Sequence, residues 1–174
     1  MLLAAVAAKH TIMEIRKMIA SDWEQVASIY AEGIGTGYAT FETKVPTYDY
    51  WDNNHLTNCR LVAVLEQQIV GWAALSHVSS RCVYVGVAEL SVYVGAKSRG
   101  SSVGTLLLKH LILQSEEAGY WTLQSGIFPD NKSSILLHEK LGFRKIGYRE
   151  KVAQLYDVWK DNVLYERRST KIGV

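Results

Sequence analysis

The sequence predicts a mixed α/β fold of the α+β kind, a mostly antiparallel central sheet flanked by helices. Three observations carry this. Segments alternating apolar and polar residues, the period of a half-buried strand, interleave with segments of helical spacing. Three strand-like runs follow one another with only short polar breaks between them, and the two late helical segments each close on a glycine. At 174 residues and 48% apolar, the chain can bury a core without disulfide or metal staples.

Taken in order, MEIRKMI from Met13 alternates as a strand, and Ser21 with Asp22 offers a cap to an amphipathic helix, DWEQVASIYAEGI. GIGTGYATFET reads as a glycine-rich loop. Pro46 and TYDYWDNNHL follow as a short second helix, the proline standing where a helix tolerates it. RLVAVLE, QIVGWAALSHV and CVYVGVAELSVYV read as three strands. Their polar breaks, at Glu66, Gln67 and Gln68 and at Ser79, Ser80 and Arg81, imply hairpins and hence an antiparallel meander. SVGTLLLKHLILQSEEAG places Val103, Leu107 and Leu111 on one helical stripe. WTLQSGIF is a strand, KSSILLHEKLG a helix, and FRKIGYRE with QLYDVWKDNVLYERR a closing strand pair. The order is β-α-α-β-β-β-α-β-α-β-β, with a parallel pairing expected across the SVGTLLL helix.

Residues 1–12 read as an extension outside a single domain spanning residues 13–174. Their apolar run is short, lacks a basic start and is followed at once by Lys9 and His10, unlike a targeting signal. No run approaches the roughly 20 apolar residues of a membrane span. Nineteen Lys and Arg against 17 Asp and Glu leave no field strong enough to grip nucleic acid or an anionic membrane nonspecifically. Cys59 and Cys82 form no CxxC and no disulfide framework, which points to a reducing, cytoplasmic compartment. His10, His55, His77 and His110 show no metal-ligand spacing, so no metal is implied. Tyr156, Trp159 and Tyr165 suit either a homodimer contact or the core.

The stretch YVGAKSRGSSVGTLLL joins the strand AELSVYV to a helix through glycines and an arginine. A strand that enters such a turn and then a helix delivers free N–H groups and the positive end of a helix dipole to one point, an anion cradle. A Walker A loop fails here because Ser101 stands where the lysine must be; a Rossmann fingerprint fails on spacing and on its place after three antiparallel runs. A plain strand-to-helix turn remains open on these residues alone.

Arg99, Gly100, Ser101, Ser102, Val103 and Gly104 resemble the R/Q-x-x-G-x-G/A pyrophosphate loop of the GCN5-related N-acetyltransferases, with Ser102 in place of the middle glycine. The element order from Met13 onward and LHEKLGF at 137–143 match the same family. YATFET at 38–43, Arg81 with Tyr84, AELSVYV at 88–94 and FPDN at 128–131 make the chain most similar to its phosphinothricin and methionine sulfoximine acetyltransferases. The resemblance implies acetyl-CoA as co-substrate and a small amine or amino-acid acceptor. It implies that Glu89 and His138 are the catalytic acid/base pair, with the role of each open. Ser91, Val92, Tyr93 and Val94 would pair with pantetheine through their main chain, and Asn131 would bond it from the other side. Phe41, Arg81 and Tyr84 would receive the acceptor, the arginine gripping its carboxylate.

The residues add their own reasons. Glu89 is a carboxylate inside an apolar strand, costly unless paired or used, and Arg81 is the ion-pair partner it would take in a purely structural role. His138 can move a proton in either direction near neutral pH. Amide formation needs the neutral amine, so a base is required. Two rival functions stand beside small-amine acetylation: modification of protein or peptide amines, and a coenzyme A-binding dimeric module without catalysis.

Overall fold

A computed structural model describes residues 12–174. Apart from Ile12, the expected extension lies outside the described residues. Seven strands follow in the predicted order: β1 (Glu14–Lys17), β2 (Arg60–Leu65), β3 (Gln68–His77), β4 (Val87–Val94), β5 (Thr122–Ile127), β6 (Arg144–Leu155) and β7 (Val158–Arg168). Between them lie helices α1 (Trp23–Gly35), α2 (Tyr48–Asn54), α3 (Val103–Glu117) and α4 (Lys132–Lys140). The strands form one sheet, β1-β2-β3-β4-β5-β7-β6. Every neighbouring pair is antiparallel except β4 and β5, which α3 joins as a parallel crossover.

Strand alternation sorts the core into two faces. Ala73, Leu75, Leu90 and Leu123 point toward α3, whose Val103, Leu107, Leu108 and Leu111 are at most 1% exposed. Trp72 and Ala74 point the other way, onto Val26, Ile29 and Tyr30 of α1 and Trp51 of α2. Each fully buried leucine contributes on the order of 1.5–3 kcal/mol.

Four local expectations are corrected. Asp22 does not cap α1. Its carboxylate accepts from Arg16 at 2.7 and 2.8 Å and from the Ile19 N–H at 2.9 Å, a charge-assisted fork stronger than a cap, while Ala20–Asp22 form a 3-10 turn. The glycine-rich loop starts later than expected, at Thr36, because Gly33 and Gly35 finish α1. Cys82–Tyr84 form a 3-10 turn rather than strand, and Val83, Tyr84 and Val85 are exposed. There the Gly86 carbonyl is held by the N–H groups of Trp121 and Thr122, a long-range contact that local β propensity cannot register. The final hairpin turns at Tyr156 and Asp157, both with positive φ, so Gln154 and Leu155 belong to β6. Of the late aromatics, Tyr165 is buried, whereas Tyr156 and Trp159 are exposed.

Candidate active site

The site exists because one ladder stops early. β4 and β5 pair only at Val87 with Thr122, Ala88 with Leu123 and Glu89 with Gln124. Beyond Glu89 both strands, with residues 90–94 on one and 125–127 on the other, line a cleft of about 640 Å³. Main-chain groups of Ser91, Val92, Tyr93 and Val94 on that edge have no strand partner in β5. An extended ligand segment can take the missing place.

At one end of the cleft stands the turn into α3. Gly100 has φ +78° and Ser102 has φ +66°. A Cβ on Gly100 would meet nothing within 4 Å, so its backbone conformation rather than crowding calls for glycine. Ser102 adopts the same left-handed region with a side chain, at a cost of roughly 1–2 kcal/mol. That conformation is a physical reason for the middle glycine of the R/Q-x-x-G-x-G/A pattern that this turn resembles. The first helical bond of α3 is Leu106 N–H to Ser102 C=O, at 3.0 Å. The amides of Ser102, Val103, Gly104 and Thr105 therefore have no intrahelical acceptor, and all four residues line the cleft. Gly104 lets the helix approach closely, since a Cβ there would sit 3.2 Å from Leu137. Arg99 adds its charge and donates from Nε to the Val94 carbonyl at 3.2 Å. Ser101 does not line the cleft; its hydroxyl donates to the Ser98 carbonyl at 2.5 Å.

Farther along β4, Glu89 opens onto the cleft. Its side chain keeps a solvent-accessible face, yet the surrounding protein desolvates it enough to raise its pKa above the usual carboxylate range, against the opposing pull of Arg149. No ion pair joins Glu89 to Arg81 among the described residues: the Arg81 guanidinium lies 5.7 Å over the Tyr84 ring. His138, on α4 and 1% exposed, lines the same cleft. Its Nδ1 is 2.7 Å from the Ser134 carbonyl, which can only accept, so Nδ1 carries the proton and Nε2 is bare. Nε2 is buried without a partner. Burial lowers the imidazole pKa, with the Ser134 bond opposing, so the neutral ring is favoured. The cleft thus holds two proton acceptors whose pKa values are shifted toward each other.

The other expected residues divide. Asn131 lines the cleft while its Oδ1 caps α4, accepting from Ser134 N–H at 3.2 Å and Ser133 hydroxyl at 3.1 Å. Its Nδ2 is the group that can face a ligand. Phe41 lines the cleft and is seated edge-on against Phe128, with ring centroids 4.5 Å apart. Arg81 and Tyr84 are not among the cleft residues; they sit on the exposed loop before β4. Sequence reasoning missed Asn162 on β7, which lines the cleft as well. Nothing in its own stretch, KDNVLYE, distinguishes it from a solvated strand residue.

An elongated cleft with free amides at one end and proton acceptors at the other suits an enzyme that transfers a group from a long carrier with an anionic terminus. Fold and sequence identify which such class is present: the chain matches the Acetyltransferase (GNAT) family over residues 20–143 and belongs to it. It is 29% identical over 163 residues to the phosphinothricin N-acetyltransferase of Alcaligenes faecalis, covering 88% of this chain and 81% of that one. Its fold is similar to a phosphinothricin acetyltransferase from Sinorhizobium meliloti in complex with acetyl-CoA, with TM-score 0.83, 25% identity and coverage of 92% and 90%. It is also similar to a ribosomal-protein-alanine N-acetyltransferase from Brucella melitensis, with TM-score 0.82, 27% identity and coverage of 90% and 99%. The chain is an acetyl-CoA-dependent N-acetyltransferase by family. Its unpaired amides at residues 102–105, the Arg99 charge and the open β4 edge fit the diphosphate and pantetheine of that co-substrate.

Proposed function

We propose that the chain moves the acetyl group of acetyl-CoA to the amino group of a small amino-acid-like acceptor of the phosphinothricin, methionine sulfoximine or methionine sulfone type. One observation carries the reading: a single cleft joins the anion-receptive turn at residues 99–105 to Glu89 and His138. When bound, acetyl-CoA supplies an activated thioester acyl group. Arg99, Gly100, Gly104 and the amides of Ser102 and Val103 hold its diphosphate; Ser91, Val92, Tyr93, Val94 and Asn131 align its arm. Glu89, with its raised pKa, takes a proton from the incoming ammonium, because only a neutral amine has a lone pair for attack. His138 Nε2, bare in the resting state, accepts rather than donates until it has gained a proton. Either group then holds the proton that the departing sulfur needs. Phe41 shapes the acceptor end of the cleft.

Transfer is direct, within a ternary complex. Among the described residues neither cysteine lines the cleft, and burial pushes the Cys59 thiol up to about 11, which leaves it a poor nucleophile. The free cysteines support a reducing, cytoplasmic setting. Exposed Tyr148, Tyr156, Val158 and Trp159 on the β6–β7 hairpin support a homodimer. Arg81 and Tyr84, together on the exposed turn before β4, meet the part of the acceptor that extends past the cleft walls, the guanidinium taking its carboxylate.

A thiol-release screen tests the proposal, with acetyl-CoA and free amino acids, methionine sulfone, methionine sulfoximine and phosphinothricin. Turnover with one of these small amines is the expected result. The likeness to the Brucella ribosomal-protein-alanine N-acetyltransferase favours a second reading, acetylation of peptide N-termini. Turnover of alanine-ended peptides with no turnover of any free amino acid would replace the first reading with the second.

A further inference from the structure

Four buried side-chain polar atoms among the described residues lack a hydrogen-bond partner: Nε1 of Trp51, Nε1 of Trp72, His138 Nε2 and Asn162 Oδ1. The two indoles are donors enclosed in the aromatic cluster between the sheet, α1 and α2. The other pair differs in both respects. His138 Nε2 and Asn162 Oδ1 are acceptors, and both residues line the cleft. A buried acceptor without a protein donor is costly, and the cost is relieved when a ligand brings an N–H.

The topology sets Asn162 opposite the chemistry. On β7 it precedes Leu164 by two residues, and Leu164 pairs with Gly126 on β5. Gln124, two residues before Gly126, pairs with Glu89 on β4. Alternation along each strand therefore puts Asn162, Gly126 and Glu89 on one face of the sheet. Gly126 makes the arrangement possible, because a Cβ there would come within 3.0 Å of both Nδ2 and Oδ1 of Asn162. With no side chain on β5 at that position, the amide lies over the strand beside the cleft.

We infer that Asn162 is a positioning residue for the acceptor: its Oδ1 takes one N–H of a primary amine while Glu89 removes another proton. This rests on the N-acetyltransferase reading and adds what holds the nucleophile. The ammonium gives one proton to the Glu89 carboxylate and becomes a neutral amine with two N–H bonds and a lone pair. Asn162 fixes one N–H, which turns the lone pair toward the acyl carbon. The lone pair forms the C–N bond and the C–S bond breaks with its electrons going to sulfur; the nitrogen gives its further proton to the bare Nε2 of His138, so that of the two protons now held by Glu89 and His138 one passes to the departing sulfur and the other to solvent. A hydroxyl acceptor has a single proton, which the base removes, so it leaves Asn162 Oδ1 unsatisfied; the site favours amines over alcohols.

The test uses the full chain and the small amine that it turns over fastest. Asn162→Leu removes the acceptor at similar volume and is expected to raise KM for the amine roughly tenfold or more, as loss of a hydrogen bond to a charged or polarised N–H does. Its acetyl-CoA affinity, read by isothermal titration, stays at the wild-type value. Asn162→Asp keeps an acceptor oxygen at the same reach and restores the amine KM to within about threefold. Should the leucine variant fail to bind acetyl-CoA, Asn162→Ala takes its place, since it leaves space rather than a clash. An unchanged amine KM in the variant lacking the oxygen overturns the inference, as does an aspartate variant as impaired as the leucine one, which would mean that the amide donates. A wild-type chain that binds acetyl-CoA and releases no thiol with any amine or peptide would remove the acetyltransferase reading itself, and this inference with it.

Discussion

Strand β4 meets its two neighbours in different ways. Along β3 it pairs without a break over residues 88–94. Along β5 the pairing covers only residues 87–89. The closed seam is dense: Trp72 stacks on Tyr93 at 4.7 Å, Tyr93 meets Tyr30 at 4.9 Å, and Leu75 and Leu90 are buried beneath. The open seam carries the loose ends, namely the free amides of α3, the bare Nε2 of His138 and the unpaired Oδ1 of Asn162. One strand thus anchors the fold with one edge and leaves the other largely unpaired along the cleft. The unpartnered acceptors lie at the open seam, where a ligand can reach them, whereas the unpartnered indole donors of Trp51 and Trp72 are enclosed on the packed side.

If that division holds, changes to the proton acceptors at the open seam alter turnover, and changes to packed side chains or to the backbone alter stability. The largest expected effect is at Glu89. Glu89→Gln lowers kcat by about 10²–10⁴-fold with acetyl-CoA affinity kept, the loss of a general base; His138→Ala does the same and also leaves a buried void. Loss of acetyl-CoA binding in both variants would erase the distinction. Next, Leu107→Ala, fully buried against the sheet, costs about 2–5 kcal/mol in urea unfolding while acetyl-CoA affinity of the folded fraction is unchanged.

Gly33→Ala sharpens the comparison on the closed side. Its methyl would stand 2.6 Å from two ring carbons of Tyr93, which Trp72 and Tyr30 hold in place, so unfolding should become easier by about 1–3 kcal/mol. Ser102→Gly should do the reverse at the open seam. Relief of the left-handed serine, about 1–2 kcal/mol, is offset in part by the added unfolded-state freedom of glycine, about 0.5–1 kcal/mol, and leaves a net gain of up to about 1.5 kcal/mol.

The smallest effect concerns pH. Desolvation raises the Glu89 pKa and also lowers that of His138, so kcat/KM should fall as pH drops through the interval between ordinary imidazole and ordinary carboxylate ranges, where both acceptors become protonated. Arg149 opposes the rise at Glu89, so Arg149→Ala should move that limb to higher pH; a limb that moves down would show that Glu89 is not the group reported. Neutral burial of His138 likewise contributes stability that is present above the unfolded imidazole pKa and is lost as pH falls through its lowered folded value.

Much of this was legible in the chain. The glycine-bearing turn into α3 is local, and its meaning does not depend on distant residues. Glu89 stood out because a carboxylate in an apolar strand needs an explanation. Asn162 did not, since a polar residue at a strand position is ordinary until Gly126 on another strand is known to lie beside it. Arg81 and Tyr84 were legible as neighbours of each other and illegible as non-members of the cleft.

Periodicity by itself determined the order of strands and helices and which face of each is apolar, because those properties repeat within a window of a few residues. Tertiary structure alone decided where the β4–β5 ladder ends, that His138 Nε2 is enclosed without a partner and which side chains share the opening. These depend on hydrogen bonds and contacts between segments far apart in the chain, whose strength is set only when the whole sheet has formed.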